Sequence, residues 1–442
     1  MLFKIAEVIV KIKKVITIIM LLIIINSIFF CNYSFANNST NLEIHSEAAI
    51  LIDSKTGKII YEKNSNEKRY PASTTKILTA ILAIEKFSLD EEVTASYNAV
   101  MSIPSGYSIA AIQVGETLTV KELLEVFLVH SSNEAGYILA EGVSGSIPEF
   151  AKLMNQKAQE IGCKNTHFTN PSGLHDENHY STAYDLAQIA KYCMQNKTFR
   201  SIVSMPTCTV EPTEMYEERF FRNTNEMLNP KSQYYNEYII GIKTGYTSLA
   251  KNCLISGYKK NNTELISVVL GAPASVGNKG LSGKYTDTQT LFDYGIENYS
   301  YKNIIPAGEV ITQIEVEHAT NDTKNLDLVL EKNIEAFISN SIDLKNLKPE
   351  ISLNENITAP ISENDILGTA TFTIDGETYT RNLVASNNVE ASAYLKNILK
   401  ILLAIVLLLI VFELMYLKKN NNTKKDKKKG PNGKYLYGRV KY

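Results

Sequence analysis

Cysteine is scarce in this chain, and its few copies lie far apart. Of five cysteines in 442 residues, Cys31 falls in an N-terminal apolar stretch, while Cys163, Cys193, Cys208 and Cys253 form no CxxC pair and no metal-ligand spacing with histidine. That excludes the common zinc and dithiol redox arrangements. Buried thiols are expected, with one disulfide as the alternative in an oxidising compartment. A charge excess is lacking too: 45 Lys and Arg against 47 Asp and Glu leave a formal net charge of -2. A nucleic-acid binder or an acidic tail protein would be more lopsided. There is no internal repeat, and the one low-complexity segment is a lysine-rich tail. Long apolar runs occur only at the two ends.

Residues 1–36 place Lys4, Lys11, Lys13 and Lys14 ahead of a mostly apolar run from Val15 to Phe30, then a polar stretch ending Ser34-Phe35-Ala36. A basic start, an apolar centre and small residues at the cleavage offsets read as a secretory signal cut after Ala36; an uncleaved anchor is the alternative. Phe29 and Phe30 stand before Cys31 where a lipoprotein signal has small residues. At the other end, 401–412 is apolar on every side and, with Ile398, Leu399 and Leu414 to Leu417, approaches the roughly 17–25 residues of a spanning helix. Lys400 and Glu413 lie near its edges, where long side chains reach the interface. Lys418, Lys419, Lys424, Lys425, Lys427, Lys428 and Lys429 follow, a tail expected on the cytoplasmic side. An in-plane amphipathic helix, the alternative, needs a polar face that 401–412 lacks. Residues 37–393 are thereby expected outside the membrane.

Between the ends, "AAILIDSKTGKIIYEKN" (48–64) has two β-rich halves around a turn at Ser54-Lys55-Thr56-Gly57 and reads as a hairpin. From about 72 to 200 the pattern is helical, with apolar Ile77, Leu78, Ile81, Leu82 and Ile84, and with Thr119 and Glu122 in capping-box spacing. "YIIGIKTGYT", "NCLISGYKK" and "TELISVVLGA" are strand-like. Strands, then helices, then strands predict an α+β domain whose sheet is closed by segments distant in sequence. Short β-prone runs from 305 to 390 predict a small all-β module. The expected division is a signal at 1–36, a catalytic domain at 37–298, a β-rich domain at 299–390, a linker at 391–397, a transmembrane helix at 398–417 and a basic tail at 418–442.

A serine hydroxyl is a weak nucleophile and needs a base within hydrogen-bond reach. Ser73 and Lys76 in "ASTTK" stand one helical turn apart on one face, behind Pro71 and Ala72, which suit a helix start. A buried lysine, its charge disfavoured by desolvation and by another cation, can act as that base. Ser65…Lys68, Ser248…Lys251 and Ser256…Lys259 share the spacing, but lie in a polar hairpin exit or in or beside predicted strands. Downstream come Ser131-x-Asn133, between two helical segments, and a second Lys-Thr-Gly at Lys243, Thr244 and Gly245 on a strand. There Gly245 permits close approach of a ligand and Lys243 presents a cation. The Lys-Thr-Gly at 55–57 precedes the serine and sits in a turn.

Ser73-x-x-Lys76, Ser131-x-Asn133 and Lys243-Thr244-Gly245, in that order, resemble the motif set of penicillin-binding proteins and class A β-lactamases. "YPASTTKILTA", "NTHFTNPSGLHDENHYSTAYDLA" and "GIKTGYTS" are similar to the low-molecular-weight D-alanyl-D-alanine carboxypeptidases, and "APISENDILGTATFTIDGE" to their C-terminal domain. The resemblance implies a β-lactamase/transpeptidase-like α+β catalytic domain, an antiparallel sheet with a helical subdomain, then the small all-β domain and the C-terminal helix. It implies Ser73 as nucleophile, Lys76 as base and Ser131 as proton relay to the leaving amine. Asn133 would contact the peptide or orient Lys76, Lys243 and Thr244 would bind the terminal carboxylate, and Gly245 would line the site. The N–H groups of Ser73 and Tyr246 would form the oxyanion hole. Expected partners are stem peptides ending in D-Ala-D-Ala, β-lactams as covalent inhibitors and the membrane, with no cofactor, metal or nucleic acid. A β-lactamase and a non-catalytic peptidoglycan-binding module are the alternatives.

Two features depart from the family pattern. Lys284 stands where an arginine is usual, and a lysine cannot make the bidentate fork to a carboxylate. The C-terminal anchor reads as a spanning helix where better-known relatives have an amphipathic one. His167, His175 and His179 flank an Asn-Pro-Ser-Gly loop and read as loop residues rather than metal ligands. His130, beside Ser131, could pose as a triad histidine, but the family gives that role to the lysine.

Overall fold

The computed structural model describes residues 42–426. The expected signal at 1–36 and the tail beyond 426 lie outside the described residues. The chain opens with β1 (Ala48–Asp53) and β2 (Ile59–Lys63), the hairpin that the turn at Gly57 predicts. Three later strands, β3 (Ile239–Thr247), β4 (Lys251–Lys260) and β5 (Thr263–Ala272), complete an antiparallel sheet of order β2-β1-β5-β4-β3. Ile50 lies opposite Val268, so the sheet is closed by segments distant in sequence.

Side chains alternate across a strand with period two. Ile50, Ile52, Ile255, Val268 and Leu270 therefore enter one core, with Ile77, Leu78 and Ile81 of helix α1 (Lys76–Lys86) and Leu139 of α2 (Asn133–Ser144). The same core takes Leu186 and Ile189 of α3 (Ala183–Met194). Their neighbours Ala49, Leu51, Leu254 and Val269 enter the core on the opposite face, against Leu291 and Phe292 of α4 (Gly283–Asn298). The sheet is thus buried on both faces, which explains its nearly continuous apolar text. In the helical insert Thr119 and Glu122 form the capping box that their spacing predicts: Thr119 Oγ1 accepts from the Glu122 N–H at 3.2 Å, and the Glu122 carboxylate accepts from the Thr119 N–H at 2.9 Å. Cys163, Cys193, Cys208 and Cys253 are buried free thiols.

Among the described residues, 299–391 holds strands and no helix. Five strands form an antiparallel sheet over its own core, which includes Leu326, Leu328, Phe372 and Leu383. A ribbon of Tyr299–Ile305 and Ile334–Ser339 joins the domains by alternation, since Ala336 and Ile338 enter that core and Phe337 enters the core beneath α4. Tyr301 donates to Asp53 Oδ2 at 2.9 Å, Lys58 pairs with Asp375, and the Lys55 ammonium lies 4.4 Å from the Tyr301 ring centroid. The first Lys-Thr-Gly is therefore a turn, and it also grips the β-rich domain. Helix α5 (Ala393–Asp426) begins inside the stretch expected as linker. Its apolar part, Asn397–Lys418, contains an 18-residue window of mean hydropathy 2.9 and is 22 residues long. At 1.5 Å per residue that is about 33 Å, enough to cross a bilayer.

Candidate active site

Ser73 sits in a tight 3-10 turn, Ala72–Thr75, that runs directly into α1. Ala72 takes a left-handed φ of 47°, uncommon for a residue with a side chain. Two glycines let that turn fit: a Cβ on Gly173 would fall 1.8 Å from the Ala72 carbonyl oxygen, and one on Gly245 would fall 3.1 Å from the Ser73 nitrogen. Strand β3 and the loop at 169–174 thus press on the serine turn from two sides.

The helical offset brings Lys76 Nζ to 2.9 Å from Ser73 Oγ, and the amine also reaches Asn133 Oδ1 at 2.7 Å and the Ser172 carbonyl at 3.1 Å. Asn133 Nδ2 donates to the Ser108 carbonyl at 2.8 Å, which fixes the amide orientation and turns its oxygen to Lys76. Asn133 Oδ1 and the Ser172 carbonyl can only accept. A neutral amine spends its two N–H bonds on them, and its lone pair is left facing the serine hydroxyl.

Electrostatics favours the neutral form. Lys76 is wholly buried, and burial together with the Lys243 charge holds its pKa well below the ordinary lysine value, with Glu134 opposing. Lys243, also buried, is pushed down to about 7 by burial and by the charge of Lys284. Glu134 is itself pushed up by burial, while its carboxylate accepts from Ser132 Oγ at 2.8 Å and from the Ala110 N–H at 2.6 Å.

These groups surround one cleft of ≈ 610 Å³, whose lining includes Ser73, Ser131, Asn133, Thr244, Gly245 and Tyr246. Ser131 closes the turn Val126–His130 in a left-handed conformation, φ 70°, ahead of the Ser132 cap of α2. Lys76 and Lys243 stand behind the lining, and the Lys243 ammonium donates to the Thr244 carbonyl at 3.1 Å. Lys284, at the first turn of α4, enters the cleft directly. The other Ser-x-x-Lys matches form no such pair. Ser65 donates to Glu62 at 2.5 Å, Ser256 to the Gly241 carbonyl at 2.7 Å, and Lys251, although Ser248 lines the cleft, is 2.6 Å from Glu47. His130 bonds the Ile109 carbonyl at 3.1 Å and packs on Phe221.

The family described as D-alanyl-D-alanine carboxypeptidase matches residues 35–274. A relative, D-alanyl-D-alanine carboxypeptidase DacF of Bacillus subtilis (strain 168), is 34% identical over 370 residues, covering 82% of this chain and 90% of its own. The chain belongs to the D-alanyl-D-alanine carboxypeptidase family. The C-terminal domain of penicillin-binding protein 5 matches residues 299–391. Penicillin binding protein 5 from Haemophilus influenzae superposes with a TM-score of 0.60 at 28% identity, over 79% of this chain and 98% of that one. The Streptomyces K15 DD-transpeptidase gives 0.52 at 29% identity, over 58% and 98%. This carboxypeptidase is of the serine type, and family membership implies substrates ending in D-alanyl-D-alanine and binding of β-lactams.

Two contributors to the carboxypeptidase site escaped the sequence. The Ser172 carbonyl is a backbone atom with no residue-type signature. Thr224 shares a 2.6 Å hydroxyl contact with Thr244 across the cleft floor. Lys284 drew notice as a lysine where an arginine is usual for carboxylate recognition, and it lines the cleft. The "NPSG" run at 170–173, flanked by His167 on one side and by His175 and His179 on the other, was the one available signal for the loop.

Proposed function

We propose that Ser73 is the nucleophile, Lys76 its general base and Ser131 the relay that returns a proton to the leaving amine. Asn133, Lys243, Thr244, Gly245 and Tyr246 serve substrate binding. One observation carries the reading: a fully buried amine 2.9 Å from the Ser73 hydroxyl, with two acceptors directing its lone pair there.

Ser73 Oγ attacks the carbonyl of the penultimate D-alanine as Lys76 takes its proton. The N–H groups of Ser73 and Tyr246 receive the tetrahedral oxygen; losing one such donor typically costs about 3 kcal/mol. The C–N bond breaks, D-alanine departs with a proton relayed through Ser131, and water then hydrolyses the ester. Thr244 and Lys284 meet the terminal carboxylate at the cleft wall, and Lys243 acts on it and on Lys76 through its charge. The lining holds no carboxylate to activate that water as a class A β-lactamase does. A muropeptide ending in D-Ala-D-Ala, incubated with the protein, should lose one alanine by mass spectrometry; an unchanged mass would remove the assignment.

The domains run over 37–298 and 299–390, and stem peptides of the cell wall are the substrate. The apolar stretch of α5 spans the membrane, with the catalytic domain outside and the lysines after Leu417 in the cytoplasm. Protease added to wall-stripped cells should digest the catalytic domain and spare an epitope fused after Tyr442. Digestion of that epitope would argue for the in-plane helix instead.

A further inference from the structure

A buried histidine outside the cleft fastens together the two segments that meet on Lys76. His179 Nδ1 lies 3.1 Å from the Thr169 backbone N–H, which can only donate, so the ring proton sits on Nε2. Nε2 therefore donates to Thr75 Oγ1, 2.8 Å away. Thr75 immediately precedes Lys76. Thr169 opens the turn that delivers the Ser172 carbonyl to the amine. That turn is wound on Asn170, whose Oδ1 accepts from the N–H groups of Gly173 at 2.8 Å and Leu174 at 3.1 Å. Thr79 ties the turn to α1 by donating to the Pro171 carbonyl at 2.7 Å.

We propose that His179 is a positioning residue for acylation: by joining Thr75 to Thr169 it keeps the Ser172 loop sealed over the Lys76 amine, with the lone pair aimed at Ser73. The inference rests on the reading of Ser73 and Lys76 given above. His179 does not take part as an acid or base. Burial pushes it down to about 3, with Asp176 opposing and His167 and His175 adding to the effect, so it stays neutral at neutral pH.

The charged groups that act on Lys76 are Lys243 on β3 and Glu134 on α2, and the Phe127 ring centroid lies 5.7 Å from its amine. The loop brings a carbonyl to Lys76 and no charge. Loosening the loop therefore acts mainly through water. Hydration weakens the burial that holds Lys76 down, its pKa rises, and the acid limb of acylation moves to higher pH.

The test is the pH dependence of acylation by a fluorescent penicillin, measured on the full chain in detergent for His179→Asn, Thr75→Val and the double variant. Asparagine keeps an acceptor near Thr169 and cannot reach Thr75, while valine keeps the shape of Thr75 and removes its oxygen. Each single variant should move the acid limb up by about one pH unit and slow acylation on that limb about tenfold. KM for a small D-Ala-D-Ala peptide should change less than about threefold. The double variant should be no worse than the poorer single one, because both remove the same link. An unmoved limb in both single variants, or effects that add in the double, would overturn the proposal. If His179→Asn does not fold, the near-isosteric Thr75→Val alone decides. A parallel Ser73→Ala sample separates the two levels, since labelling that survives it defeats the site reading itself.

Discussion

Lys76→Met is expected to slow acylation by benzylpenicillin by about 10²- to 10⁴-fold, the range typical for loss of a positioned general base. Methionine suits the test because it fills a fully buried site with an unbranched chain of similar length and cannot accept a proton. The serine and the proposed oxyanion donors remain, so residual acylation should persist and should lose its acid limb. Lys243→Met provides the matching control of sign. With Lys76 as the proposed base, acylation needs the neutral amine, and its rate should rise with pH through the pKa of Lys76. Removing the neighbouring cation lets that pKa rise, and the acid limb moves to higher pH. Because Lys243 itself is pushed down to about 7, its influence on Lys76 is greatest below that pH. Rapid-mixing acylation across pH 5–10 reads both variants. A full acid limb persisting in Lys76→Met would place the base elsewhere.

Ser73→Ala should lower turnover of a D-Ala-D-Ala peptide by about 10⁴- to 10⁶-fold and abolish covalent penicillin labelling. The cleft keeps Thr244, Lys284 and Asn133, so reversible binding of the same peptide, measured by calorimetry, should change by no more than a few-fold. The pairing of lost chemistry with kept binding is what distinguishes a nucleophile from a folding residue. Ser65→Ala and Ser256→Ala should leave labelling intact, because their hydroxyls are bonded to Glu62 and to the Gly241 carbonyl, away from the cleft. Labelling of Ser73→Ala at the rate of the unaltered protein would contradict the assignment.

What could be read in advance follows from the range of each interaction. The capping box of Thr119 and Glu122, the turn at Gly57 and the offset of Ser73 from Lys76 are local, so their spacing alone predicts the contact. The closure of β1 on β5 follows from the order of strand-like and helix-like segments, but the text of β1, β4 and β5 is nearly continuously apolar because both faces are buried, so it does not say which side chains face which core. Contacts made through backbone atoms leave no such trace. The Ser172 carbonyl reaches Lys76 only because Asn170 and Gly173 shape a loop from elsewhere in the chain. Lys55 illustrates the same limit: the turn was legible, but its docking against Tyr301 depends on the placement of a second domain. Lys284 was noticed for its residue type, yet its entry into the cleft depends on where α4 begins. The start of α5 at Ala393, within the expected linker, shows that a polar stretch next to a strongly apolar one can simply continue its helix.

The central claim is that one serine, held against one buried lysine, forms the acyl-enzyme. The most direct measurement is peptide mapping of the unaltered protein after brief exposure to benzylpenicillin, with the adduct located by fragmentation mass spectrometry. The account predicts a single penicilloyl group on the peptide containing Ser73, with Ser65, Ser131, Ser248 and Ser256 unmodified. An adduct on any of those four, or no covalent adduct while D-alanine release continues, would contradict it.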